Sequence, residues 1–282
     1  MKAAPFRYER PLELVSALTL VRDPEAKALA GGQSLVPVMA MRLARPQILV
    51  DLARIGELEG IERRDGELVT GAMVRQRTLE RFAGLEHELP LVAAALPYVG
   101  HREVRNRGTV GGSIAHADPS AELALVAATL RARIEARSLE RGREISAAEF
   151  VRGPFQTALE PGELVTAVRW PTAGPEDRFA FAEVARRHGD FALCGVAVHL
   201  RRGQGRVALA RVGLLGVAAV PVVHEVAEQL DGAADPAAVA ADVAGQLEPA
   251  GDMHASAGYR RRLARVLVER CLRQALGGPS GG

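Results

Sequence analysis

Arg105-Asn106-Arg107-Gly108-Thr109-Val110-Gly111-Gly112-Ser113-Ile114-Ala115-His116-Ala117-Asp118-Pro119 places two adjacent glycines between hydroxyl residues. A second stretch, Lys27-Ala28-Leu29-Ala30-Gly31-Gly32-Gln33-Ser34-Leu35, has the same make-up: small residues, a Gly-Gly pair, then an amide and a hydroxyl. Adjacent glycines admit positive φ without steric cost. Successive N–H groups can then face one concavity that holds an anion. Ser34, Thr109 and Ser113 add hydroxyl donors, and Gln33 adds an amide. A hydrogen bond to a charged group contributes only about 1.5–3 kcal/mol net, so a diphosphate calls for many donors. With 29 glycines in 282 residues, either pair alone reads more plainly as a simple chain reversal. Their recurrence within one region strengthens the phosphate-binding reading moderately.

What is missing narrows the chemistry. No G-x-G-x-x-G follows a strand and no G-x-x-x-x-G-K-[ST] occurs, so the dinucleotide fingerprint and the P-loop are both absent. There is no H-E-x-x-H, no zinc-spaced Cys/His cluster and no G-x-S-x-G elbow. Lys+Arg 36 against Asp+Glu 34 leaves a formal charge of +2, and aromatics are 4%, which together supply little for nucleic acid. The basic runs His101-Arg102, Arg105-Asn106-Arg107 and Arg260-Arg261-Arg262 read as solvated faces. Two cysteines, Cys194 and Cys271, exclude a disulfide framework and an iron–sulfur cluster held by this chain alone. Both sit in apolar text and read as buried, reduced thiols of a cytoplasmic protein. No secretory signal and no apolar run long enough to span a membrane is present.

The hydrophobic pattern outlines α/β units. Ala28-Leu29-Ala30 is a short apolar run entering the first turn, and Leu35–Leu43 reads as the helix leaving it, with Pro37 in its opening turn. Ile48–Leu52 and Glu67–Ala72 read as strands. Helices are expected through Thr78–Phe82 and Pro90–Leu96. The chain should then turn from Gly100 to Asn106. Asp118 reads as the N-cap and Pro119 as the first position of a helix over 120–133. Thr172–Asp177 is a linker by composition. Beyond it, Ala192–Leu200 and Arg206–Gly216 should pair as antiparallel strands, while Pro221–Leu230, Pro236–Leu247 and Tyr259–Leu276 should be helical. Leu263, Val266, Leu267 and Cys271 mark the apolar stripe of the last. The Gly-Pro-Ser-rich end, 277–282, reads as a disordered tail.

The two glycine stretches, together with Glu183-Val184-Ala185-Arg186-Arg187-His188-Gly189-Asp190-Phe191-Ala192 and the text from Asp252 to Arg260, resemble the FAD-binding medium subunit of the aerobic carbon monoxide dehydrogenase and xanthine dehydrogenase family of molybdenum hydroxylases. The likeness spans nearly the whole chain in order, and the segment from Arg105 to Pro119 is its most specific part. It implies an α+β fold: a two-subdomain FAD-binding domain of the vanillyl-alcohol-oxidase type, followed by a smaller α+β domain. The implied division is 1–174, with subdomains about 1–55 and 56–174, then 175–276.

The resemblance also implies non-covalent FAD on this chain. Its partners would be a small subunit with two [2Fe–2S] clusters and a large subunit with the molybdenum cofactor, in a dimer of heterotrimers. Ala30, Gly31, Gly32, Gln33 and Ser34 would hold the pyrophosphate from one side, and Thr109, Val110, Gly111, Gly112 and Ser113 from the other. Glu122 falls where an acidic residue meets the ribose; a solvated first helical turn is the plainer reading of the same carboxylate. Phe191 would lie near the isoalloxazine, although a Phe in that setting reads by itself as core. Val99, Leu164 and Val165 would make apolar or backbone contacts with the ring and adenine. Several relatives carry Tyr or Trp at the position of Phe191 and many carry Lys at that of Arg187, so a polar tip and an amine are replaced here. Electron transfer needs no acid–base pair on this chain, and none is assigned. A stand-alone flavin oxidase of the same fold and a flavin-free scaffold are the competing readings.

Overall fold

The computed structural model describes residues 2–231 and 235–277. The tail expected at 277–282 falls outside these residues from 278 onward. The chain opens with strand β1 (Arg7–Glu9), helix α1 (Leu14–Val21), strand β2 (Ala26–Leu29), helix α2 (Leu35–Ala40) and strand β3 (Ile48–Asp51). These strands form a parallel sheet in the order β1-β3-β2. Every residue of β3 is buried, as a central parallel strand covered on both faces requires. Its core joins Leu14, Leu18, Val50, Ile55 and Leu58 to Met73 and Leu164 from farther along the chain. The first glycine stretch is the loop between β2 and α2, at the carboxyl edge of this sheet. Helix α2 stops at Ala40, short of the expected Leu43, because Arg42 takes a left-handed φ of 60°.

The next sheet is antiparallel. It begins with the hairpin β4 (Ile61–Arg64) and β5 (Glu67–Gly71). A helical run follows: α3 (Gln76–Glu80), α4 (Leu85–Glu88), α5 (Pro90–Ala95), α6 (Arg102–Arg107), α7 (Val110–His116) and α8 (Glu122–Leu130). The sheet is completed by β6 (Arg133–Arg137) and β7 (Gly142–Ser146). After the short helix α9 (Ala147–Phe150) and the hairpin β8 (Val151–Gly153) and β9 (Gln156–Thr157), strand β10 (Leu164–Pro171) enters between β5 and β6. Trp170 is fully buried and donates from Nε1 to Thr70 Oγ1 at 2.9 Å, which satisfies the one polar atom its burial would otherwise strand.

Three helical expectations are corrected here. Residues 102–107 form a helix, not an open turn. The second glycine stretch is not a turn: Val110–His116 is helical, with Thr109 as N-cap and its hydroxyl accepting from the Gly112 N–H at 3.0 Å. The following helix starts later than expected, because Asp118 Oδ1 accepts from the Ser120 N–H in a local turn and Ala121 is the N-cap.

The last sheet is β11 (Asp177–Ala185), β12 (Ala192–Gly203), β13 (Arg206–Leu215) and β14 (Val222–Glu225), antiparallel throughout. The expected pairing of residues 192–200 with 206–216 is present. The helix expected over 221–230 is instead β14 followed by the short α10 (Ala227–Leu230). Val222 and Val223 suit a strand, and pairing with β13 outweighs the helical reading. Helices α11 (Pro236–Gly245) and α12 (Ala257–Ala275) cover one face. Cys194, Val196, Val198 and Leu200 of β12 alternate toward them and pack with Val243, Leu267, Val268 and Leu272; each such side chain contributes roughly 1.5–3 kcal/mol on burial. Val266, placed in the apolar stripe from sequence, is exposed. The opposite face of the sheet joins the second core, where Phe181, Ala197 and Leu215 meet residues of α5 and α8. Both cysteines are free and buried, and burial pushes each thiol up to about 12. At the junction before this sheet, Asp177 accepts from the Gly174 N–H, His199 Nε2 and Arg201. Burial opposes its ionisation, but these donors outweigh burial and hold the carboxyl at about 2.

Candidate flavin site

The two glycine stretches meet. A Cβ placed on Gly112 would lie 3.0 Å from the Ala30 Cβ, and one on Gly31 would lie 2.7 Å from the Gly108 Cα. A Cβ on Gly111 would lie 2.6 Å from the Ala72 Cα. Close approach is therefore what three of the four glycines provide, to backbone at Gly31 and Gly111 and to the Thr109 and Ala30 side chains at Gly112. Only Gly32 uses positive φ, at 74°, which corrects the expectation that both pairs serve to reach that region.

The donor inventory is asymmetric. In the second stretch the Val110 N–H donates to Val74 O, Gly111 to Ala72 O, Gly112 to Thr109 Oγ1 and Ser113 to Thr109 O. Those four amides all have acceptors within the protein. In the first stretch the N–H groups of Gly31, Gly32, Gln33 and Ser34 have no protein acceptor among the described residues. Gln33 Nε2 folds back onto Gly31 O at 3.2 Å and stiffens the loop. The Ser34 and Ser113 hydroxyls are likewise without a protein partner among the described residues.

A cavity of about 490 Å³ opens beside this loop, lined by Arg10, Gly31, Gly32, Asp51, Arg75 and Arg107 among others. It lies at the carboxyl ends of β1, β2 and β3, where open parallel sheets bind ligands. Asp51 is saturated there: it accepts from the Tyr8 hydroxyl and from the Ala53 N–H at 2.9 Å, and pairs with Arg10 at 3.3 Å. None of these charged residues was singled out from sequence as a contact. Arg107 stands inside the quoted motif; Arg75, Arg10 and Asp51 have no motif around them.

The remaining expected residues lie farther along. Val99 ends a 3₁₀ turn and its carbonyl accepts from Arg105 Nη1 at 3.3 Å. Arg105 also binds the Pro97 and Gly100 carbonyls and both oxygens of Glu80, so it is a buried strut and not the solvated cation its run suggested. Arg260 is corrected in the same way: it is buried, with Nη1 donating to Leu193 O and Gly216 O. Leu164 and Val165 open β10 and are buried in the first and second cores. Phe191 is 75% exposed, so the core reading of it fails.

Glu122 begins α8 and is only 7% exposed, which overturns the solvated-turn reading. Burial pushes its carboxyl up to about 7, with the charge of Asp118 adding to the rise. Glu183, on the face of β11 between Ala182 and Val184, is pushed up to about 8 by burial and then by Glu122. Its Oε2 is buried without a hydrogen-bond partner among the described residues. Glu183 was quoted in sequence only as text of the third segment; two carboxylates far apart in the chain gave no signal that they would influence each other.

Free amides, two hydroxyls and two arginines without an ion pair among the described residues suit a ligand that carries a diphosphate. The fold and site thus define an α+β chain with a cradle for a nucleotide diphosphate. A family model described as the FAD binding domain in molybdopterin dehydrogenase matches residues 4–173, and one described as the CO dehydrogenase flavoprotein C-terminal domain matches residues 179–275. The 6-hydroxypseudooxynicotine dehydrogenase complex subunit alpha of Paenarthrobacter nicotinovorans is 37% identical, over 98% of this chain and 96% of its own. The carbon monoxide dehydrogenase medium chain of Afipia carboxidovorans is 34% identical over 96% of both chains. A solved structure of carbon monoxide dehydrogenase from Hydrogenophaga pseudoflava superposes with a TM-score of 0.93 at 34% identity, over 98% of this chain and 99% of that one. The chain belongs to the FAD-binding subunit family of molybdenum hydroxylases, and it is an oxidoreductase subunit whose cofactor is FAD. Among the described residues, no helix is long and apolar enough to cross a membrane.

Proposed function

We propose that this chain is the electron-transfer subunit of a molybdenum hydroxylase complex in the cytoplasm. It would take electrons from [2Fe–2S] clusters on a small partner, supplied by the molybdenum cofactor of a large partner, and pass them to an external acceptor. Residues 1–174 would form the FAD-binding part, 175–276 the smaller domain, and the assembly would be a dimer of heterotrimers. FAD supplies the redox chemistry; the protein supplies position and electrostatics.

The observation that carries the reading is the row of unpaired N–H groups at Gly31, Gly32, Gln33 and Ser34, held against the Thr109–Ser113 segment by glycine contacts. These amides with Ser34 and Ser113 would bind the pyrophosphate, while Ala30, Val110 and Gly111 pack the two segments together. Glu122 would accept from a sugar hydroxyl, with Val99, Leu164 and Val165 shaping the apolar walls. Phe191, whose ring faces outward, would meet the isoalloxazine. Substrate selection belongs to the large partner.

The test is purification of the tagged full chain from a host expressing its partner genes. Flavin absorbance with iron and molybdenum in the same complex is the expected result. A folded chain without flavin bands under saturating FAD would overturn the reading. So would a lone chain that oxidises an organic substrate at a useful rate.

A further inference from the structure

We propose that Arg75 and Arg107 are the counter-charges of the FAD diphosphate, a positioning pair beside the two Gly-Gly pairs. This rests on the reading that the diphosphate sits at Gly31–Ser34. Amides and hydroxyls solvate a diphosphate, but they do not neutralise its two negative charges. A charge moved from water into a partly closed cavity is costly unless an opposite charge accompanies it.

The cavity beside Gly31 and Gly32 is lined by three arginines. Arg10 is already matched by Asp51 at 3.3 Å. Arg75 and Arg107, the other two arginines on the cavity, form no ion pair among the described residues. Two unmatched cations therefore border the row of unpaired amides, equal in number to the charges of a diphosphate.

Their placement is built. Arg75 Nη1 donates to the Arg107 carbonyl oxygen. That same carbonyl is the backbone group closest to a Cβ placed on Gly31. The Arg75 guanidinium is thus tied to the floor on which the first glycine loop rests, with its remaining N–H groups uncommitted among the described residues. Thr109 faces Arg75 across an isolated antiparallel bridge, and the Gln76 N–H donates to Gly108 O at 2.9 Å. These contacts lock the backbone of both arginines to the second glycine segment. Arginine suits the task because its planar fork binds phosphate oxygens in pairs.

The experiment titrates the full chain, stripped of flavin, with FAD at low and high ionic strength. Wild type is compared with Arg75→Gln, Arg107→Gln, the double variant and the two Lys variants, each checked for an unchanged melting temperature without flavin. Loss of a charge-assisted contact predicts about tenfold weaker FAD binding for each Gln variant. Wild-type affinity should fall as salt rises, and the double variant should lose most of that dependence. Arg75→Lys and Arg107→Lys should retain more affinity than the Gln variants. Gln variants with wild-type affinity and an unchanged salt dependence overturn the proposal and leave the flavin reading intact. A loss of affinity with the wild-type salt dependence also overturns it, since it marks a structural role. A wild-type chain that binds no FAD overturns the underlying reading as well.

Discussion

Gly31→Ala adds one methyl group where the backbone leaves no room. The new Cβ would stand 2.7 Å from the Gly108 Cα, about 0.8 Å short of the roughly 3.5 Å at which carbon atoms rest. The Arg107 carbonyl oxygen, which it also meets, is backbone like the Gly108 Cα, so no side chain can swing away. Relief requires the 31–34 loop to lift from the second glycine segment. Overpacking of this kind costs about 1–3 kcal/mol. If lifting withdraws one amide from the diphosphate, the loss is about 1.5–3 kcal/mol of binding, or roughly ten- to hundred-fold in Kd. The assay is quenching of flavin fluorescence on titrating FAD with flavin-free chain, beside a thermal melt. Gly56→Ala serves as control, because a Cβ there meets nothing within 4 Å. Gly31→Ala with wild-type FAD affinity and wild-type stability would refute the reasoning.

Glu183→Gln should reveal the buried carboxylate. Its folded value of about 8 lies above the ordinary 4.5, so the protein binds an extra proton on folding, and the stability it contributes below about pH 4.5 is lost as pH rises through about 8. The flavin-free Gln variant should therefore melt higher than wild type near pH 9, with the gap shrinking toward pH 4; a gap independent of pH would count against it. Cys194 and Cys271, buried and pushed up to about 12, should resist a thiol reagent in the native chain and both react after denaturation; rapid native labelling would contradict their placement. Arg260→Ala leaves the Leu193 and Gly216 carbonyls unpaired and should lower unfolding stability by about 2–4 kcal/mol, read from the denaturant midpoint. A change under about 0.5 kcal/mol, the range of an ordinary surface site, would restore the solvated reading.

Segments with a strong local pattern were legible from sequence. The β2–loop–α2 unit, the β12–β13 pair and α12 follow from apolar periodicity and turn residues, and they appear close to where they were expected. Elements set by distant contacts were not. Val110–His116 contains Gly111 and Gly112, poor helix formers, yet it is helical because Thr109 caps it and Gly111 seats against Ala72. Asp118-Pro119 has the chemistry of a helix start, but the Asp118 carboxylate is spent on Ser120. Arg105 and Arg260 sit in basic runs that look identical whether solvated or buried; the carbonyls that hold them come from outside those runs. Composition identified the glycine segments but not which of their amides are bonded within the protein. The amides of 31–34 are free of protein acceptors among the described residues and those of 110–113 are not, and the surroundings of Arg75, Arg107 and Glu183 follow only from the tertiary fold.

That difference between the two segments has a direct readout in amide hydrogen exchange, followed residue by residue with and without FAD. Gly31, Gly32, Gln33 and Ser34 should exchange fast in the flavin-free chain and slow markedly when FAD binds, because their N–H groups gain acceptors. Val110, Gly111, Gly112 and Ser113, already bonded within the protein, should be slow in both states. Slowing at 110–113 with none at 31–34 would contradict the placement of the diphosphate on the first glycine loop.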